Sequence, residues 1–219
     1  MSRNEYQRQL EQLRTDVRSM SDLVCDRLEA ALTALEDTDE TLADRVIEGD
    51  HEINELYLDI EGDCIELLAL QQPVAGDLRF IAASFKIITD LERIADLAVN
   101  LAEYAKQAAR DRYPHIDITA IGERTLEMVS VAMDAYAADD ASTTREIAAM
   151  DDEIDDRCEH ASEIVVQDLL ETEIADDALF DDVSRMLLTI RDLERIGDHA
   201  VNIAARVLHM VDNDAELIY

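Results

Sequence analysis

Apolar residues recur at intervals of three and four along nearly the whole chain, with polar residues between them. That period belongs to helices with one buried stripe, because side chains on a strand alternate instead. The pattern predicts six long helices. The first covers about 4–35 and is broken by the acidic stretch "EDTDE" at 36–40, where Thr38 or Asp39 is placed to cap the next. The second reaches about Leu70. "QQPVAG" at 71–76 reads as a turn, since Pro73 disfavours helix at Gln72 and itself suits a first helical turn. The third covers about 75–110, and "RDRYPHID" around Pro114 is the clearest break in the chain. A fourth covers about 119–138 and a fifth 142–171. The sixth follows "TEIADD" at 172–177 and ends near Val211, leaving 212–219 to fray.

The second three helices repeat the first three. "DLERIADLAVN" at 90–100 and "DLERIGDHAVN" at 192–202 agree at nine of eleven positions and lie 102 residues apart. "DHEIN" at 50–54 matches "DDEID" at 151–155 with an offset of 101. Near-constant spacing across two different motifs points to duplication of a whole three-helix unit. The expected fold is all-α, two tandem three-helix bundles with short connections, divided as 1–112 and 113–219.

Composition agrees and adds a constraint. Hydrophobic residues make up 48% of the 219, but aromatics only 4% with no Trp, so the core must be aliphatic and suited to helix packing. The formal charge is −33, from 52 acids against 19 bases, and only Lys86 and Lys106 among those bases are lysines. An acid-rich, lysine-poor surface fits a protein working in concentrated salt, which screens self-repulsion. Nucleic acid and anionic membrane surfaces are disfavoured as partners, because both recruit basic charge. No stretch approaches the roughly 18 apolar residues of a membrane span, and residues 1–16 lack a signal-peptide run. Cys25, Cys64 and Cys158, odd in number and without a CxxC, read as small apolar residues in a reducing cytoplasm.

The candidate chemistry lies in the repeated acids. On a helix, Leu91, Ile94, Ala95, Ala98, Leu101 and Ala102 form a core stripe. Glu92, Asp96 and Asn100 form a second, roughly 100° away, and Glu194, Asp198 and Asn202 repeat it. Carboxylates at i and i+4 repel each other. A bound cation reverses that repulsion, and oxygen ligands suit Mg, Mn, Fe or Zn. Asp151 and Asp155, with Asp50 in the matching first-half place, flank the apolar stripes of their helices and are positioned to meet the motif acids across a groove. Asn54 stands where an acid is expected, which weakens the first set. The plainer readings are solvated acidic faces and acids near helix N-termini. Arg93 and Arg195 read as ion-pair residues, His199 as an ordinary surface histidine, and Gly197 and Ala95 as points of close helix approach. "HEINE" at 51–55 lacks the second histidine of a zinc protease motif, and no P-loop, Gly-rich nucleotide loop or Ser/His/Asp set appears.

The segment "LLALQQPVAGDLRFIAASFKIITDLERIADLAVNLAE" at 67–103 resembles the hallmark segment of the PhoU family of phosphate-transport accessory and regulatory proteins, and "RDLERIGDHAVNIA" at 191–204 resembles its second repeat. The resemblance spans essentially the whole chain, although the second half lacks "LQQPVA". It implies a six-helix protein with metal clusters on Glu92, Asp96, Glu194 and Asp198, joined by Asp50, Asp151 and Asp155, with Asn100 and Asn202 as weaker ligands. It implies negative regulation of phosphate uptake without catalysis. The expected partners are the ATPase subunit of the phosphate ABC transporter, a phosphate-sensing histidine kinase as the secondary one, and a second copy of the chain. The competing expectation is a metal-dependent hydrolase or oxidase on an acidic bundle, which needs an open metal position and a general base; no acid in the sequence stands out as that base.

Overall fold

The computed structural model describes residues 3–71, 73–107, 113, 115–172 and 177–214, and these form helices without a strand. The helices are α1 (Arg3–Asp37), α2 (Glu40–Glu48), α3 (Asp50–Gln71), α4 (Ala75–Gln107), α5 (Ile118–Ala138), α6 (Thr144–Glu171) and α7 (Asp177–Asp212). The expected reach of the third helix to Arg110 and most of the "TEIADD" connection lie outside the described residues, as does the tail beyond Asp214.

Five of the six expected helices form as single pieces. The second divides into α2 and α3 at Gly49, whose backbone stays in the right-handed region (φ −80°, ψ −6°). Glycine is a poor helix former, and here it also makes room. The Arg27 guanidinium of α1 lies against the Gly49 Cα, where a Cβ would collide with it. From there Arg27 donates to the Arg45 carbonyl at 3.4 Å and to Glu52 Oε2 at 2.9 Å, linking the end of α2 to the start of α3. Asp39 caps α2 as anticipated, its Oδ1 accepting from the amides of Thr41 (2.9 Å) and Leu42 (3.0 Å). Asp39→Ala leaves those donors to water. It should lower the unfolding free energy by about 1 kcal/mol, read from the urea midpoint with the denaturant slope unchanged.

Helices α1, α2–α3 and α4 pack as one unit and α5, α6 and α7 as the other, joined by α4 against α7 and α1 against α5. The buried side chains of both units nevertheless form one continuous cluster. The 112/113 boundary therefore divides the repeat, not the core. Every member of the anticipated α4 stripe is buried, from Leu91 to Ala102, and Leu97 joins them because α4 is covered on the α7 side too. Helices α4 and α7 run antiparallel: Arg79 Nε donates to the Met210 carbonyl at one end, and Arg185 donates to the Gln107 carbonyl at the other. The two copies of the repeated motif consequently face each other about a local pseudo-two-fold axis at the centre of the molecule.

Candidate functional site

The second acidic set is the more compact. Helix α6 presents Asp151 and Asp155 at i and i+4, and α7 presents Glu194 and Asp198 with the same spacing. Gly197 brings the two helices together, since a Cβ there would lie only 2.9 Å from Asp151 Oδ1. That oxygen is buried and has no hydrogen-bond partner. Burial first, and then the charges of Asp155, Asp198, Asp152 and Glu194, push the Asp151 carboxyl up to about 7. Burial also raises Asp155, helped by Asp198, and raises Glu194, helped by Asp155 and Asp198. The four anticipated acids thus act within one set, Asp151 feeling the charges of the other three and Glu194 those of Asp155 and Asp198.

The first set is the pseudo-symmetric counterpart on α3 and α4, and it is already partly neutralised. Glu92 and Asp96 are both raised chiefly by burial, and both feel Asp50, so the three anticipated acids are again gathered. Arg93, however, stands 3.5 Å from each of Glu92 and Asp96. Asn54 replaces the fourth acid and donates to Asp50 Oδ2 at 2.7 Å. The reading of Arg93 as an ion-pair residue holds. Among the described residues, no group of three or more His, Cys, Asp or Glu side chains is arranged in this conformation to hold a metal ion.

Asn100 and Asn202 do not extend these stripes. Position i+8 drifts about 80° around a helix from i, which turns both asparagines toward the opposite repeat. Asn100 Nδ2 donates to Asp192 Oδ2 at 3.2 Å, and Asn202 Nδ2 lies 3.5 Å from Asp90 Oδ1. Each motif thus offers its first acid to the other motif's asparagine. Asp192 is fully buried. Its Oδ1 accepts from Arg191 Nε (3.0 Å) and Nη2 (2.7 Å), and its Oδ2 also accepts from the Tyr104 hydroxyl at 2.9 Å. Arg195 approaches to 3.9 Å, an ion-pair role as anticipated. His199 is not an ordinary surface histidine. Its Nδ1 meets Asp90 Oδ1 at 2.9 Å, with the imidazole only 17% exposed. Sequence reasoning gave Asp90 and Asp192 no role. The available signal was their identity in both copies, ten residues before an equally repeated asparagine.

Cys64 and Cys158 are buried as anticipated for small apolar residues, are free of disulfides, and have thiols pushed up to about 12 chiefly by burial, whereas Cys25 is only partly buried. No helix among the described residues is long and apolar enough to cross a membrane.

Comparison with known proteins accounts for the duplicated layout. The PhoU domain matches twice, over residues 17–105 and 118–207. A phosphate-specific transport system accessory protein PhoU homolog from Pseudomonas aeruginosa is 34% identical over 210 residues, covering 94% of this chain and 85% of that protein. The corresponding PhoU of Escherichia coli is 31% identical over 209 residues, covering 94% and 85%. The crystal structure of PhoU from P. aeruginosa superimposes with a TM-score of 0.90 over 95% of this chain and 100% of that one, at 34% identity. That of the phosphate transport system regulatory protein PhoU from Streptococcus pneumoniae gives 0.88 over 96% and 98%, at 27% identity. None of these names is that of an enzyme. With both repeats matched and the helices superimposing along nearly their full length, the chain belongs to the PhoU family.

Proposed function

We propose that this protein is a cytoplasmic regulator that restrains phosphate uptake by contacting the ATPase subunit of a phosphate ABC transporter, with cations bound in its acidic sets. The observation that carries the regulatory part is the match of both repeats to proteins named as accessory to, or regulators of, phosphate transport. A contact role is further supported by exposed apolar side chains at the two hairpin ends. Leu68, Val74 and Leu78 lie around the α3–α4 turn, with Leu58 and Ile65 further back along α3, while Val166 and Leu170 lie in the last two turns of α6 and Phe180 in the first turn of α7. Apolar rows of this kind mark surfaces that bind partners. A second copy of the chain is one such partner in this reading, and a phosphate-sensing histidine kinase another.

The donor chemistry of the second set fits a divalent cation. Asp151, Asp155, Glu194 and Asp198 offer oxygen ligands suited to Fe, Mn, Zn or Mg, and the orphaned Asp151 oxygen lacks any other partner. Side-chain rotation must accompany binding. The ion would supply positive charge that neutralises the repulsion and ties α6 to α7. The first set, with Asp50, Glu92 and Asp96, fits less well, because Arg93 and Asn54 already meet part of its charge.

The test is retention of the transporter ATPase by the tagged chain in molar salt, with and without divalent metal and phosphate. Retention that changes with metal or phosphate is expected. No retention of the ATPase under any of these conditions refutes the proposed partner.

A further inference from the structure

We infer that the α4–α7 seam carries an anion site, formed by Arg79, Lys86, Arg206 and His209, that takes a phosphate oxyanion. In a chain with 52 acids and 19 Lys and Arg, most bases are expected to sit beside a carboxylate, and many do. These four form no ion pair with any described residue. Two of them also have desolvated polar atoms, since Arg206 Nε and His209 Nδ1 are buried without a hydrogen-bond partner. The Arg206 Nε–H is a buried donor without an acceptor, which is costly, and an incoming oxyanion supplies one; His209 Nδ1 joins it in the tautomer that carries its proton there.

The helix register places the four along one stretch of the seam, with Lys86 exposed at its rim. Arg79 reaches across to the Met210 carbonyl, and Asp90 meets His199 and Asn202. Lys86 lies on α4 between those two crossings, two turns after Arg79 and one turn before Asp90, on the face both share. Arg206 lies one turn after Asn202 on α7, and His209 adjoins Met210. The same stretch of seam therefore carries all four. Asp90, the acid at its inner end, is engaged by His199 at 2.9 Å.

The repeat itself does not require these residues. At the 102-residue offset, the counterparts of Arg79, Lys86, Arg206 and His209 are Asp181, Leu188, Tyr104 and Gln107. One end of the pseudo-symmetric seam thus carries bases without a carboxylate partner among the described residues, whereas at the other end Arg185 is paired with Asp182. Guanidinium forks, an ammonium and an imidazole converge well on a compact tetrahedral anion. A long polyanion is opposed by the −33 charge of the rest of the molecule. Phosphate is chosen over other oxyanions because of the proposed role in phosphate transport; the site itself does not depend on that role. Inorganic phosphate and the terminal phosphate of a nucleotide share the chemistry.

The experiment is calorimetric titration of the full chain, stripped of metal by chelator, with inorganic phosphate, ATP and sulfate in separate arms. Saturable binding of phosphate or ATP is expected, and the tighter of the two identifies the source. Lys86→Gln and Arg206→Gln should each weaken it about tenfold, the scale of one lost charge-assisted contact. Arg206→Lys should weaken it less, and Glu163→Gln, on the exposed face of α6, should leave it unchanged. Unchanged melting temperatures show that the variants fold. Absence of saturable binding in all arms overturns the site, as does binding indifferent to Lys86→Gln and Arg206→Gln. Equal affinity for sulfate supports an oxyanion site and overturns the choice of phosphate. The ATPase retention assay reads the proposed function separately, so either can fail alone.

Discussion

Asp192→Ala should destabilise the protein by about 2–3 kcal/mol, the range for losing hydrogen bonds to a charged group whose basic partners stay half exposed. Both oxygens of this fully buried carboxylate are used, Oδ1 by Arg191 and Oδ2 by Asn100 and Tyr104. Alanine takes the shared acceptor from the partly buried amide and hydroxyl and opens a void beside them. The Tyr104 hydroxyl, pushed up to about 12 by burial and by its hydrogen bond to Asp192, stays protonated and supplies no negative charge to the bases in its place. The pseudo-symmetric Asp90→Ala should cost only about 1 kcal/mol. Asp90 keeps 14% side-chain exposure, and its contact from Asn202 is long at 3.5 Å. Urea unfolding of both variants at one fixed salt concentration makes the comparison. Equal losses would mean that the two crossings are energetically alike, contrary to the difference in their burial. The consequence for function is positional: α4 and α7 carry the motif acids of both sets, so a slip in their register misplaces Glu92 and Asp96 relative to Glu194 and Asp198.

The fold was legible because its signals are local. Period and capping placed the helices, and the constant offset between motifs revealed the duplication. Gly49 shows the limit. A single glycine in a periodic stretch does not announce a break, and the break depends on Arg27 from another helix, 22 positions earlier. The acids of the site were legible for a similar reason, since i and i+4 carboxylates stay together on any helix. Their inequality was only half legible. Asn54 was visible as a departure, but the position of Arg93 between Glu92 and Asp96 is a rotamer choice that spacing does not fix. Asp90, Asp192 and His199 were missed because their partners lie about 90 to 110 residues away, across a helix pairing whose direction the sequence leaves open. Once α4 and α7 are known to be antiparallel, the Asp-to-Asn exchange follows from the repeat alone.

Asp151→Asn should stabilise the metal-free protein at pH 8 and blunt its response to metal. The Asp151 carboxyl stands at about 7 in the folded chain against an ordinary 3.8. A raised acid binds its proton more tightly when folded than when unfolded, so its contribution to stability is fully present below about pH 4 and is lost as pH rises toward 7. The face value is roughly 4 kcal/mol, but Asp151 is only partly buried, and solvent screening reduces this to about 1–2 kcal/mol. Asparagine carries no charge to desolvate. The variant should match the wild type near pH 4 and exceed it by that amount at pH 8, measured by urea unfolding in chelator. Adding metal should reverse the order. Wild type gains about 2.7 kcal/mol at a concentration one hundred times its Kd, whereas the variant lacks the carboxylate at the centre of the set and gains less. The double comparison separates two origins of the acidity. If the four carboxylates are only a salt-adapted surface, the variant gains at pH 8 and metal shifts both proteins alike. If they are a cation site, the metal-induced shift of the wild type must exceed that of Asp151→Asn, and Glu92→Gln in the first set should reduce it far less, because Arg93 already neutralises its neighbour there.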